Sequence, residues 1–289
     1  MHWENHPFVL LLFTVAAASV IFALILWKRR SSPGAVPLVV LSLAAAVWQA
    51  GYALELLADG QPNKIFWAQS QYPGIAVIPA AWLAVALQYS GRGRWLTRRN
   101  LALLSIMPLA TIALAWTNGS HGLIWSEITV DSSSSLTILL LDHGAFFWGN
   151  VIYSYILLLA GIVLVTEGLF HSERRYWAQS AALIVAAVIP WMANWLFRLG
   201  LDPATSLNLT PPAFGLSALV LMWAVVQVRF LDIVPIARQL VIDSMNNGVV
   251  VVDLLGRVIE TNPAARHILE RVRQATPGGL LGMHPADGQ

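Results

Sequence analysis

The chain has 289 residues, of which 57% are hydrophobic and 11% charged, a balance far from that of soluble globular domains. Seventeen basic against fifteen acidic side chains leave a net charge of only +2, so we expect no nucleic-acid partner. The lack of cysteine excludes a disulfide framework, a thiolate metal site and a cysteine nucleophile. The composition therefore predicts an integral membrane protein in contact with the lipid bilayer, without a cofactor or a metal.

Seven apolar stretches approach or exceed the roughly 20 residues that cross a bilayer as a helix. They lie at about 7–27, 36–58, 65–89, 101–117, 145–169, 177–199 and 210–230. The first has no basic residue before its apolar run and is followed directly by Lys28-Arg29-Arg30, so we interpret it as a retained helix and not as a signal peptide. The pattern predicts an all-α membrane protein with a seven-transmembrane bundle over residues 1–230.

The basic residues predict the orientation of these spans. The loops at 28–35, 90–100 and 170–176 carry nine lysines and arginines, whereas the loops at 59–64, 118–144 and 200–209 carry only Lys64. Cytoplasmic loops hold the excess of basic residues in membrane proteins. We therefore predict a multi-pass protein of the inner (plasma) membrane, with its N-terminus outside and its C-terminus in the cytoplasm.

The longest loop, residues 118–144, contains two β-prone runs. "LIWSEITV" and "LTILLL" flank a serine-rich turn at 131–135, which is typical of a β-hairpin. A long loop with apolar strands is more often functional than disordered. The sequence predicts an extracellular hairpin that covers the outer ends of the helices.

Polar side chains inside apolar spans are costly and are therefore candidates for function. Most of those found here lie toward the outer side, and helix bundles often hold ligands between their helices. Interhelical hydrogen bonds that only support packing are an alternative reading of the same residues. Together with polar residues of the outer loop, they form the following set of candidate ligand-binding residues: Glu55, Gln71, Asn118, His121, His143, Asn150, Asn194 and Arg198.

The character of the sequence changes after the last span. Residues 231–247 are predicted to form a linker and a signalling helix, with a hinge at Asp232 to Pro235 because Pro235 lacks an amide donor. Residues 248–270 alternate β-branched runs with a glycine turn and then a helical pattern. Residues 271–289 are rich in glycine and proline and are predicted to be a disordered tail.

Four segments of the membrane part carry a family resemblance. "IPAAWLAVALQYSGRGR", "MPLATIALAWTNGSHGLIW", "HGAFFWGNVIYSY" and "PPAFGLSALVLMWAVVQVRFLDIVPIARQLVIDSM" resemble the seven-transmembrane N-terminal sensor region of bacterial histidine kinases. The stretch "NNGVVVVDLLGRVIETNPAARHIL" resembles the start of a PAS domain, truncated here to about half of its length. The resemblance implies two-component signal transduction, in which a small-molecule or membrane ligand is detected and a helix shift passes to a PAS or other output module.

Catalysis by the chain itself is not expected. No phosphoacceptor histidine or ATP lid follows residue 270, so output would depend on a separate histidine kinase or on a homodimer partner. A serine-histidine dyad, a His-Glu-x-x-His zinc pattern and a retinal-binding lysine in the last span are also missing from the sequence. A small-molecule transporter or channel, or a non-signalling membrane subunit, remains the alternative, although no repeated broken-helix pattern of a transporter is present.

Overall fold

The fold is known from a computed structural model, which describes residues 7–131, 137–170, 177–198, 207–227, 245–252 and 258–275. The chain divides into two compact units, Met1–Val234 and Pro235–Gln289. The first unit is a helical bundle with one two-stranded sheet, and the second contains a smaller sheet and a helix.

The described residues of the first unit contain eight α-helices. In chain order they are α1 Pro7–Lys28, α2 Ala35–Leu57, α3 Gln61–Ser70, α4 Tyr72–Tyr89, α5 Arg98–Trp116, α6 Ala145–Phe170, α7 Trp177–Arg198 and α8 Thr210–Gln227. Each lies within a few residues of a predicted span.

The number of spans differs from the prediction. Counting α3 and α4 as one span, the described residues contain six helices long and apolar enough to cross a membrane. Helix α8 falls at the seventh predicted stretch, but its apolar part, Thr210–Val225, is shorter than the other spans. Their length and composition suit a multi-pass membrane bundle, and the seventh crossing stays a prediction.

The third predicted span is not one continuous helix. It separates into α3 and α4 at Gln71, and Pro73 lies in the first turn of α4. Proline fits the first turn of a helix because no intrahelical partner awaits its missing N–H. Pro79 by contrast lies within α4. The break turns the Gln71 side chain toward α2, where it contacts Glu55.

The core of the bundle joins α1, α2, α4, α6, α7 and α8. Phe22, Leu38, Val85, Val165 and Leu183 are almost fully buried there. Helix α5 contributes few buried residues, and most of its side chains point away from the protein. That distribution suits a helix at the edge of the bundle whose apolar surface faces lipid.

Small residues allow the helices to approach closely. A Cβ atom on Gly74 of α4 would collide with the backbone oxygen of Ala44 and with the backbone nitrogen of Trp48, both on α2. Gly161 of α6 lies equally close to the indole of Trp82. Close backbone approach through small residues is the usual basis of helix packing in membranes.

The predicted hairpin is confirmed. Strands β1, Trp125–Asp131, and β2, Ile138–His143, pair antiparallel with a bulge between Trp125 and Glu127. Gly144 follows β2 where an added Cβ would collide with the carbonyl oxygen of Leu123, so glycine is required at that position. Residues 132–136 lie outside the described part of the chain.

At the opposite end of the bundle, Arg92 and Glu167 form a bidentate ion pair, with both N–O distances 3.0 Å. Glu167 lies near Arg174 and Arg175 in the sequence, but those arginines are outside the described residues. Both side chains of the pair are about half exposed, so the contribution to stability is small. The pair links the α4–α5 loop to α6.

The second unit contains β3, Val250–Val252, paired antiparallel with β4, Val258–Thr261, followed by α9, Pro263–Ala275. Asn262 caps α9 by accepting a hydrogen bond from the Ala265 amide, and the same oxygen accepts one from the Val249 amide. The predicted strands and helix are therefore present, although α9 continues five residues beyond the predicted end at 270. These elements do not identify a PAS domain.

Several predicted segments lie outside the described residues. They are the hinge residues Asp232 and Pro235, most of the predicted linker 231–247 and the tail beyond 275.

Candidate functional site

A cavity of about 830 Å³ lies within the membrane unit. Its walls come from α1, α2, α3, α4, α6, α7 and α8, and Trp125 and the whole strand Ile138–His143 of the hairpin form a further wall. A volume of this size is typical of sites for small organic molecules. The hairpin thus contributes directly to the enclosure of a space between the helices.

Helix α2 presents one face to this cavity. Ser42, Ala45, Trp48, Tyr52 and Glu55 recur three or four residues apart, which places them along one side of a helix. This face is more polar near the C-terminal end of α2, which lies close to the residues just before α8. There the Tyr52 hydroxyl accepts a hydrogen bond from the Asn208 amide, at 2.9 Å.

Glu55 occupies the last turn of α2 and is 5% exposed. Its Oε2 atom accepts a hydrogen bond of 2.6 Å from Gln71 Nε2, across the break between α3 and α4. Lys64 is also buried, but its Nζ donates to the backbone oxygens of Glu55 and Leu56, at 2.8 and 3.3 Å. Lys64 therefore caps the carboxyl end of α2, while the Glu55 carboxylate faces the cavity.

Two asparagines of the cavity wall are hydrogen-bonded to neighbouring helices. Asn150 Oδ1 on α6 accepts a hydrogen bond from Thr111 Oγ1 on α5, at 3.1 Å. The Tyr155 hydroxyl on α6 donates to Asn194 Oδ1 on α7, at 2.9 Å. Both asparagines line the cavity.

Trp191 and Thr210 line the cavity with polar atoms that find no hydrogen-bond partner among the described residues. Indole Nε1 of Trp191 is a donor only, and the hydroxyl of Thr210, whose side chain is 3% exposed, either donates or accepts. Buried polar groups are nearly always hydrogen-bonded in folded proteins. These two polar atoms on the cavity wall could form hydrogen bonds with a polar group of a ligand.

The structure brings five of the eight candidate residues to one cavity. These are Glu55, Gln71, His143, Asn150 and Asn194. The ring of His143 packs against Phe147, with centroids 3.7 Å apart. Arg198 ends α7, and its side chain lies outside the described part of the chain.

Asn118 and His121 do not line the cavity. Asn118 is buried, and its Oδ1 accepts from the Ile124 and Trp125 amides while its Nδ2 donates to the Trp125 carbonyl. His121 is exposed, and its ring contacts the Thr117 hydroxyl and the Leu123 amide. Both side chains organise the chain that leads into β1.

Sequence reasoning missed Thr210 as a cavity residue. It belongs to an Asn-x-Thr tripeptide at 208–210, a pattern too short to carry weight. Its burial depends on how the start of α8 meets α2, where Gln49 Nε2 donates to the Pro211 carbonyl at 3.1 Å. A single sequence contains no signal for that contact.

Comparison with known proteins gives one family match. Residues 10–235 match the model of the N-terminal 7TM region of histidine kinase. The match covers all the helices of the membrane unit, apart from the first residues of α1, and includes no catalytic kinase domain. No curated protein matches the chain.

Proposed function

Because the chain belongs to the family of N-terminal seven-transmembrane regions of histidine kinases, we propose that it is the sensor input module of a two-component system. In this proposal the chain crosses the membrane seven times and detects an extracellular or membrane ligand. It relays the signal to a cytoplasmic output module. The partners in this proposal are a histidine kinase or a second copy of this chain.

The cavity behind β2 is the observation that carries the proposal. It has the volume of a small-molecule site, and its lining includes polar atoms of Trp191 and Thr210 that have no hydrogen-bond partner among the described residues. Its walls involve seven of the eight described helices, so a ligand that fills it would contact most of the bundle at once. A ligand shifts a conformational equilibrium when it binds one arrangement better than another. A ligand that touches several helices would have different contacts whenever those helices move, which supports this part of the proposal.

The orientation of the proposed sensor follows from the basic loops. Arg92 and the neighbouring arginines would lie in the cytoplasm, and the hairpin would lie outside. The cavity would then receive ligand from the outer side or from the membrane, and α8 would lead inward. We further propose that Asp232 to Pro235 act as the hinge that transmits a shift of α8 to a PAS-like output segment.

The proposal is tested in a fusion of this chain to a complete histidine kinase core, with autophosphorylation measured in membranes exposed to extracts of culture medium. Replacement of both Asn194 and Arg198 by alanine is expected to abolish the response and to leave the amount of membrane protein unchanged. Asn63→Ala is the control, because Asn63 is exposed outside the cavity and donates only to the Asp59 carbonyl. A full response in the double variant would contradict the assignment of the ligand site.

A transporter would give a different result in the same membranes. Uptake of a bound molecule into sealed vesicles would indicate transport. Saturable binding without flux supports the sensor.

A further inference from the structure

The charged side chains that line the cavity are acidic. The lining contains the carboxylates of Glu55 and Asp142, and it contains no lysine or arginine among the described residues. His143 is the one histidine among the described lining residues. The cavity is therefore better suited to a cation than to an anion.

The Glu55 carboxylate has spare hydrogen-bonding capacity. Oε2 is bonded to Gln71, whereas Oε1 accepts no hydrogen bond from any residue that the structure describes. No ion pair joins this carboxylate to Lys64, whose ammonium is bonded to the backbone end of α2. A carboxylate accepts several hydrogen bonds, and bonds from a charged donor are the strongest of these. A ligand ammonium would supply the missing donor.

Aromatic rings line the same cavity as this carboxylate. Tyr72 directly follows Gln71 and meets Trp125 edge to face, with centroids 5.4 Å apart. Trp48 and Phe214 form a second lining pair, at 5.5 Å. Ring faces attract cations and also cover apolar groups. The cavity thus combines a carboxylate with aromatic rings, which together favour an amine attached to an apolar body.

We propose that the cavity binds an amine-bearing amphiphile, whose ammonium group donates to Glu55 Oε1 and whose apolar part lies along the aromatic walls. This inference specifies the ligand class of the proposed sensor site and rests on that proposed function. The cavity volume of about 830 Å³ is sufficient for a molecule of this kind. Trp191 and Thr210 remain as donors for a carbonyl or hydroxyl oxygen of the same ligand.

The test is a binding titration on the full-length chain in phosphatidylcholine nanodiscs, followed by tryptophan fluorescence. The probes are n-octylamine, n-octanol and octanoate, which share a chain length and differ in charge. We expect saturable binding of octylamine at least about tenfold tighter than that of octanol, because a hydrogen bond to a charged group is worth more than a neutral one. Octanoate is expected to bind most weakly, since two carboxylates line the cavity.

Glu55→Gln keeps the shape of the side chain and removes its charge. It is expected to weaken octylamine binding about tenfold and to leave octanol binding unchanged. Glu127→Gln is the matched control, because Glu127 is exposed on β1 and does not line the cavity. It should bind octylamine as the unaltered protein does.

Equal affinities for octylamine and octanol in the unaltered protein would overturn the inference, whether or not Glu55→Gln folds. Undiminished octylamine binding by folded Glu55→Gln would overturn it as well. Either result leaves the kinase-fusion assay to decide separately whether the cavity serves a sensor at all.

Discussion

Asn118 holds together the loop that leads into the hairpin. Three hydrogen bonds of 2.9 to 3.0 Å join its side-chain amide to the backbone of Ile124 and Trp125. These bonds supply partners for buried backbone groups that have no partner in a helix or a strand. Trp125, which Asn118 positions, is a wall of the cavity and a ring partner of Tyr72. Asn118 therefore affects the cavity indirectly, by fixing the position of Trp125.

Replacing Asn118 by alanine is expected to lower the free energy of unfolding by about 2 kcal/mol, because two buried amides and one carbonyl lose their partner. Asn118→Asp retains the acceptor oxygen and should cost less. Equilibrium unfolding in detergent micelles measures both changes. If the alanine and aspartate variants were both as stable as the unaltered protein, the structural role of Asn118 would be wrong.

The polarity of a residue predicts some of the cavity-lining residues. It does not distinguish them from polar residues that only stabilise a loop. Glu55, Asn150 and Asn194 were predicted because polar groups inside apolar spans need a partner, and the structure places them on the cavity wall. Asn118 is equally polar, but its hydrogen bonds go to residues six and seven positions later in the chain. Such bonds depend on the course of the loop, which a pattern of residue types does not contain.

At the scale of elements, the contact between α2 and α4 depends on Gly74. The backbone of α2 lies where a side chain at this position would be. The same two helices bring Glu55 and Gln71 within hydrogen-bond distance. A change in their separation is therefore expected to disturb the cavity as well as the packing.

Gly74→Ala is expected to destabilise the bundle by about 1 to 3 kcal/mol, the usual cost of adding a methyl group to a tightly packed site. Gly119→Ala is the matched control, because nothing lies within 4 Å of an added Cβ at that position. Melting temperatures in micelles report the difference. Equal melting temperatures for the two variants would show that the helices are farther apart than described here.

The elements differ in how well their bounds were predicted. The long apolar runs and the hairpin were predicted nearly as they occur, since burial in lipid and strand alternation leave strong periodic patterns. The break at Gln71 was less evident. Pro73 and Pro79 both indicate an irregular helix, but only the structure shows that the chain separates into α3 and α4 before Pro73 while α4 continues through Pro79. Local sequence marks a candidate kink, and packing against α2 decides where the helix ends.

For the whole molecule, the distribution of basic residues predicts the topology. The loop that contains Arg92, Arg94, Arg98 and Arg99 should lie in the cytoplasm, and the hairpin should lie outside. A reporter that is active only in the cytoplasm should work after Arg99 and fail within 131–135. The chain has no cysteine, so single introduced cysteines at the same places provide an independent check by labelling from outside. The reverse pattern would overturn the orientation of the proposed sensor.

The central claim is that occupancy of the cavity sets the signal, and filling the cavity with a side chain tests it without knowledge of the ligand. Ser154 lines the cavity on α6 and donates to the Asn150 carbonyl four residues earlier. Ser105 on α5 makes the same bond to the Leu101 carbonyl, but it is exposed and lies outside the cavity. Ser154 and Ser105 thus make the same local hydrogen bond, and they differ in whether they line the cavity.

The decisive measurement is autophosphorylation of the kinase fusion that carries Ser154→Phe or Ser105→Phe, with and without culture extract. The account predicts that Ser154→Phe fixes the output at one level that extract no longer changes, whereas Ser105→Phe responds like the unaltered fusion. A normal response in Ser154→Phe would contradict the claim that the cavity is the site at which the signal is received.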